Sequence, residues 1–517
     1  MLGAALIAMA CGPAAAEPAT ANDAECSLVH ITSGPIEADA PVSIRSVSTE
    51  RLSDAGARYC LVRLRVGGDV NMAIGLPMDG RWNGRLQAEG VGGYGGRALP
   101  PVRAVARGYV GVQTDTGHVA GAHHPGDGPD DNWRVMVGAF AMRAPGVPDL
   151  ARQNDFAHRS AHLMAVVGRQ VASVFYGHSP SHAYFNGCST EGRQGLRAAQ
   201  QYPNDYDGIL AGDPAINFAE VMAFQIWPQL VMKDIVGGPI LPAKMALATT
   251  RAVEACDGLD GLGDGLLTDP RQCRYRASLD EMITRPDCRA DEGDCLSEQE
   301  AAAIDAIWDG PREADGRSLW YGIPRGAPLD LLAGERPFPY AIVQPRYWVF
   351  LNPRWDWRTL TLERYAAFFR RSVAAVDPIM GSNDPDLRRF FDRGGRIILY
   401  HGFNDSGILP QGSIDYLDAV ASEMRLSDAE LKSRFRLFLF PGVGHCRGGD
   451  APQPPVDGML DALVDWVEQD TPPDTLTAVQ EYPNDRTRSR PVCTYPSLPY
   501  YSGHGDPDLA SSFVCRR

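Results

Sequence analysis

The stretch Tyr184-Phe185-Asn186-Gly187-Cys188-Ser189-Thr190-Glu191-Gly192-Arg193-Gln194-Gly195 constrains this chain more than any other. An aromatic, strand-like run ends at a glycine. A cysteine and a serine follow, and helical spacing then begins with Leu196, Ala198, Ala199 and Tyr202. Strand, tight turn, serine and helix form the layout of a nucleophile elbow, which holds a serine hydroxyl exposed at the top of a sheet. The expectation is acyl-transfer chemistry through Ser189.

The surrounding pattern supplies a sheet for that elbow. Tyr59 to Val66 and Val70 to Leu76 read as a hairpin around Gly67-Gly68. Gly84 to Glu89 and Tyr109 to Thr114 read as further strands. Asp155 to Tyr176 has helical spacing, and Ile209-Leu210-Ala211 is a short apolar strand after the elbow helix. Strands alternating with helices imply a parallel α/β sheet. Residues 216–385, rich in Trp, Pro, Asp and Cys, break the rhythm, which resumes at Arg396 to Tyr400, Phe435 to Phe440 and a helix at Met459 to Glu468. The expected organisation is a discontinuous catalytic unit, residues 27–215 and 386–517, with 216–385 inserted as a lid.

A serine nucleophile needs a base, and the base needs an acid to orient it. In an α/β-hydrolase they follow in the order Ser, Asp, His, each on a loop after a strand. After the strand at Ile397–Tyr400 comes His401-Gly402-Phe403-Asn404-Asp405-Ser406-Gly407; after Leu437–Phe440 comes Pro441-Gly442-Val443-Gly444-His445-Cys446. Singly, Asp405 also reads as a turn aspartate and His445 as a structural histidine. Together with Ser189, in order, they read as a triad. An oxyanion hole needs two backbone N–H donors. Thr190 offers one, and the glycine cluster after Glu89 offers the other at Gly93, unless that cluster is only a flexible loop. No G-x-G-x-x-G opens a helix within a βαβ unit, which argues against dinucleotide binding.

The net charge of −15 argues against nucleic acid or an anionic membrane surface as partner. Leu2 to Ala10 followed by Ala14-Ala15-Ala16 resembles a secretory leader, giving an expected signal peptide over residues 1–16. Lipid attachment at Cys11 is the alternative, and no other apolar run is long enough to span a bilayer. The chain is therefore expected to be secreted or periplasmic. Of eleven cysteines, setting Cys11 aside leaves an even number, as in disulfide-bonded exported proteins. Cys256 with Cys273, Cys288 with Cys295 and Cys493 with Cys515 are close in sequence, and Cys26 and Cys60 flank the first strands. Cys188 and Cys446 remain. If Ser189 and His445 touch, a bond between these two cysteines ties the nucleophile loop to the histidine loop. The competing reading, Cys188 as nucleophile, is disfavoured because an exported protein would oxidise it with Cys446. In the inserted stretch, the glycine-rich turn Asp257–Leu266 concentrates oxygen ligands that suit Ca²⁺. The spacing is not that of an EF-hand. Asp257, Asp260 and Asp264, with main-chain oxygens of Leu262 and Leu266, form the expected set, holding the lid together and not activating water, since no histidine joins the acids.

These residues together resemble the tannase and feruloyl esterase family, which includes mono(2-hydroxyethyl) terephthalate hydrolase. The resemblance is carried by Cys188-Ser189, Asp405, His445-Cys446 and the acidic loop, and extends to Phe175-Tyr176-Gly177, Tyr202-Pro203, Tyr206-Asp207-Gly208 and Arg396–Gly402. It implies an α/β-hydrolase fold with a calcium-bearing lid that shapes the pocket for a phenolic or aromatic acid. Trp320, Tyr321, Phe338, Tyr340, Tyr347, Trp348 and Phe350 suit an aromatic acyl group, or else form the lid's own core. Arg346 and Arg354 are the candidates for the arginine that grips the terephthalate carboxylate in the plastic-monomer enzyme. The same triad also serves amides, so a serine amidase or peptidase is a second class, and an exported calcium-dependent binding protein with a dead site is a third. One position departs from the family: Glu191 stands where G-x-S-x-G places its second glycine, and Gly192 comes one later. The expectation is that the Glu191 side chain points out of the tight elbow contact.

Overall fold

The computed structural model describes residues 26–53, 56–120, 138–483 and 486–517. The leader expected at 1–16 and the alternative lipid site at Cys11 lie outside the described residues. Nine strands form one sheet: β1 (Val42–Arg51), β2 (Arg58–Val66), β3 (Val70–Pro77), β4 (Arg85–Glu89), β5 (Val110–Thr114), β6 (His182–Cys188), β7 (Gly208–Gly212), β8 (Arg396–Gly402) and β9 (Phe435–Phe440). Their order across the sheet is β1-β2-β3-β5-β4-β6-β7-β8-β9. The first four pair antiparallel. From β5 onward every pairing is parallel.

The parallel half explains its own sequence. Parallel strands are covered on both faces and so read as continuous apolar runs. Phe435-Arg436-Leu437-Phe438-Leu439-Phe440 is buried throughout. Even Arg436 is 6% exposed, its guanidinium bonded to Asp474 and the Pro473 carbonyl. Successive side chains go to opposite faces. Ile209, Leu399 and Leu437 join the core under α1 (Ser160–Tyr176) and α2 (Thr190–Gln201), whereas Leu210, Ile398 and Phe438 join Met459, Leu463 and Trp466 of α5 (Val456–Gln469).

Between β7 and β8 the described chain adds no strand to the sheet. Its helices, including α3 (Pro242–Cys256) and α4 (Leu362–Met380), enclose a core of their own around Ile304, Trp308, Tyr365 and Phe368. A further aromatic cluster joins this segment to the sheet side, with Tyr340 and Trp348 packed with Tyr94, Phe140, Phe156 and Phe218. After α5 the chain ends in two antiparallel hairpins, β10 (Thr475–Glu481) with β11 (Thr487–Cys493) and β12 (Leu498–Tyr501) with β13 (Phe513–Arg516). No described helix is long and apolar enough to cross a membrane. All ten described cysteines are paired as disulfides: Cys26–Cys60, Cys188–Cys446, Cys256–Cys273, Cys288–Cys295 and Cys493–Cys515.

Candidate active site

In an open parallel sheet, functional groups gather at the carboxyl ends of the strands. Here Ser189 follows β6, Asp213 follows β7, Asp405 lies just beyond β8 and His445 lies beyond β9, on four adjacent strands. Ser189 caps α2 with φ 69° and ψ −129°, a backbone that L-residues rarely adopt. The turn is held by Ser189 N–H donating to Gly212 O at 2.8 Å and Ala215 N–H donating to Ser189 O at 3.3 Å. Thr190 opens α2, so its N–H belongs to the first turn, where helical N–H groups have no intrahelical acceptor.

His445 Nδ1 lies 2.6 Å from Asp405 Oδ2. The other carboxylate oxygen of Asp405 accepts N–H bonds from Gly407 at 2.8 Å and Ile408 at 2.9 Å. Asp405 is fully buried, and burial alone would favour its neutral form. The two imidazoles of His445 and His401 outweigh burial and hold the carboxyl below the usual carboxylate range. Burial likewise opposes charge on His445, but Asp405, and after it Asp213, raise its pKa above the usual histidine value. The bond between Cys188 and Cys446 joins the residue before Ser189 to the residue after His445.

Gly93 has φ 61°, and a methyl group on it would overlap the Tyr340 hydroxyl. Both facts require glycine here. The loop carrying it lies against the elbow, since a methyl group on Gly90 would fall 2.6 Å from Glu191 Cβ. Glu191 does not point out of the elbow contact, contrary to expectation. Gly187 and Gly90 leave the room for it, and its carboxylate accepts the Cys188 N–H at 3.3 Å. The close approach of α2 to β7 falls instead at Gly192, whose added methyl would meet Gly212 O at 2.6 Å. Burial, with the nearby charge of Glu89, pushes the Glu191 carboxyl up to about 7 against the Cys188 and Gly92 N–H groups.

The predicted aromatics divide. Tyr340 packs edge-on against Tyr94 at 5.1 Å and Phe338 at 5.1 Å, beside Gly93. Tyr347 and Trp348 are buried with Phe140 and Phe156, and Trp320 packs on Phe369. Phe350 stacks on Trp355 and Phe368, within the inserted segment's own core. Tyr321 bonds to Asp415. Arg346 donates to the Trp355 carbonyl at 3.1 Å, and Arg354 is exposed. In the acidic loop, Asp260 accepts the Leu262 N–H and the Thr268 hydroxyl, Asp257 accepts the Gly265 N–H, and Asp264 accepts the Leu266 N–H and pairs with Arg488 and Arg490. Two residues that sequence reasoning passed over join the site: Asp213, and His401, whose Nε2 lies 2.8 Å from Ile408 O. An acid directly after a buried parallel strand was the available signal for Asp213.

Residues 64–516 match the family described as tannase and feruloyl esterase. The chain belongs to this family. Its curated relatives include the protein named "Probable feruloyl esterase" of Arthroderma benhamiae, 32% identical over 473 residues, covering 88% of this chain and 84% of the relative. "Probable feruloyl esterase B" of Aspergillus clavatus is 31% identical, covering 70% and 71%. Among solved structures, feruloyl esterase B from Aspergillus oryzae superposes with TM-score 0.82 at 26% identity, over 95% of this chain and 99% of that one. Tannin acyl hydrolase from Aspergillus niger shares the fold, with TM-score 0.81 at 22% identity over 97% and 96%. The fold is the α/β-hydrolase fold, and the protein is a carboxylic ester hydrolase acting on small-molecule esters.

Proposed function

We propose that the protein cleaves esters of aromatic, phenolic acids, of feruloyl or galloyl type, through an acyl-enzyme on Ser189. The observation that carries this reading is the buried Asp405, on the strand end next but one to the Ser189 turn, bonded at 2.6 Å to His445, whose loop is cross-linked to the Ser189 turn by Cys188–Cys446. Ser189 attacks the carbonyl as His445 takes its proton. Asp405 keeps the Nδ1–H tautomer and favours the imidazolium. The N–H groups of Thr190 and Gly93 receive the oxyanion. His445 then returns its proton to the leaving alcohol and activates water against the acyl-enzyme. The aromatic acyl group lies near Tyr340, the lid residue beside Gly93, and Phe338, which packs on Tyr340.

Ca²⁺ is the proposed structural cofactor. The donor set is all oxygen, as a hard cation prefers: the carboxylates of Asp257, Asp260 and Asp264 with the carbonyls of Leu262 and Leu266, although one Asp264 oxygen is already held by Arg488 and Arg490. Burial first, and the charges of Asp264 and Asp257 after it, raise the Asp260 pKa against the bonds from the Thr268 hydroxyl and the Leu262 N–H. The ion would brace the loop and take no part in acyl transfer. Five disulfides support an exported protein.

The test is hydrolysis of methyl ferulate, methyl gallate, mono(2-hydroxyethyl) terephthalate, a p-nitrophenyl ester and a matched anilide, by the protein and by Ser189→Ala. A phenolic methyl ester should give the highest kcat/KM, and Ser189→Ala should lose at least about 10³-fold. Preference for terephthalate or for the anilide would overturn the substrate assignment. Equal activity of both proteins would overturn the triad.

A further inference from the structure

Asp213 is 0% exposed and sits at φ 36°. Its visible structural duty is small. One carboxylate oxygen accepts the Gly402 N–H at 3.0 Å, which an asparagine oxygen would do equally well. The other lies 3.6 Å from Cys188 Sγ, a disulfide sulfur with no proton to give. A buried carboxylate costs free energy unless its charge is used. Charge partners surround it: a carboxylate oxygen of Asp213, one of Asp405 and a ring nitrogen of His445 all lie within 4.8 Å of one another.

His401 completes the arrangement. Its Nε2 lies 2.8 Å from Ile408 O, which can only accept, so Nε2 carries the hydrogen. The same nitrogen is 3.4 Å from Asp405 Oδ2 and 3.6 Å from Asp213 Oδ1. Nδ1 is 2.8 Å from the Ser413 hydroxyl. One imidazole thus bridges two carboxylates that both face His445. The groups facing Asp213 are His401, Asp405 and Tyr400 from β8 and its loop, and His445 from the loop after β9.

Resting on the Ser189–His445–Asp405 reading, we propose that Asp213 is a second acid for His445. It is a positioning carboxylate that shares with Asp405 the stabilisation of the imidazolium formed when Ser189 gives up its proton. Asp405 is the better placed, with its hydrogen bond to Nδ1. Asp213 supplies charge from the neighbouring strand end and replaces part of Asp405's function when Asp405 is exchanged for an uncharged asparagine. Burial holds the Asp213 pKa above the usual aspartate value, so its charge is present only towards the upper part of the acid limb.

The test compares Asp405→Asn, Asp213→Asn, the double variant and Ser189→Ala on a p-nitrophenyl ester across pH, with Tm recorded for each. Asp405→Asn should keep kcat at least about 10-fold above Ser189→Ala, and the double variant should fall to the Ser189→Ala level. Asp213→Asn alone should lower kcat several-fold with KM unchanged. Its acid limb of kcat/KM should move down by about one pH unit, because removing a nearby negative charge makes the imidazolium easier to deprotonate. A merely structural role would lower Tm without moving that limb. Asp405→Asn no more active than the double variant, with the limb of Asp213→Asn unmoved, would overturn the inference. Should Asp213→Asn not fold, Asp213→Ser, which removes the charge with a smaller side chain, carries the same comparison. An active Ser189→Ala would sink the triad itself, whereas a dead Ser189→Ala with matching Asp405→Asn and double variants would sink only the second acid.

Discussion

At the scale of single residues, the elbow carries the clearest conflict between local rule and structure. Glu191 occupies a position that the G-x-S-x-G pattern reserves for glycine, and it is accommodated because Gly187 and Gly90 have no side chains to meet it. The cost is electrostatic. A carboxyl pushed up to about 7 in the fold, and ordinary when unfolded, stabilises the fold only in its protonated form. That contribution is complete below the ordinary glutamate pKa and is lost as pH rises through about 7. Glu191→Gln, which still offers an oxygen to the Cys188 N–H, should therefore be more stable than the parent at pH 8 by up to roughly 3 kcal/mol. The advantage should vanish near pH 4.5. Paired thermal melts at the two pH values check this, and a Tm difference independent of pH would refute it. The sequence showed that Glu191 was anomalous but not where it goes, because Gly90 lies far from the elbow in the chain and meets it only across the sheet.

At the scale of elements, α2 is fastened to the inserted segment through Arg193, which is 0% exposed. Its guanidinium donates to Ala157 O at 2.9 Å, Met380 O at 3.2 Å and Phe156 O at 3.3 Å, with no carboxylate among these acceptors. Burial lowers its pKa to about 9, so it stays charged at neutral pH. Met380 ends α4, so one side chain ties the elbow helix to the end of the insertion just before the chain returns to β8. Arg193→Met keeps the length and removes these three buried bonds, for an expected loss of about 3 kcal/mol in guanidinium unfolding. A loss under about 1 kcal/mol would show the bonds to be redundant. None of this was legible beforehand. Arg193 read as one residue of an elbow helix, because carbonyl acceptors leave no mark on a sequence. The strands were legible for the opposite reason: β9 is apolar at nearly every position, and the expected Phe435 to Phe440 matches its bounds. The inserted segment resisted reading because its few long helices, α3 and α4 among them, are separated by many short helical turns. Pro345 opens a π-helical turn, Pro378 sits inside α4, and Tyr365 and Phe368 of α4 pack with residues from the irregular stretches, such as Trp355.

At the scale of the whole molecule, the chain's last hairpins return to the insertion. Arg488 and Arg490 of β11 both pair with Asp264, more than two hundred residues earlier, and the loop bearing Asp264 starts at the Cys256–Cys273 bond. Leu266 of the same loop packs in the core with Phe440 and Val443, on the segment leading to His445. The acidic loop thus lies where insertion, C-terminal hairpin and histidine loop meet, and a cation there would brace all three. A ligand bound only by the folded state at 100 times its Kd adds about 2.7 kcal/mol of stability. Chelation should therefore lower Tm by a few degrees, and Ca²⁺ should restore it where Mg²⁺, with its stricter octahedral demand, does not. Because no step of acyl transfer uses the ion, kcat at 25 °C on a p-nitrophenyl ester should be unchanged in the fraction that remains folded. Asp260→Asn should remove the calcium dependence of Tm, while the disulfides keep the loop closed. A Tm indifferent to chelator would remove calcium from this protein. A kcat that tracks calcium while Tm does not would move the ion from the brace to the active site.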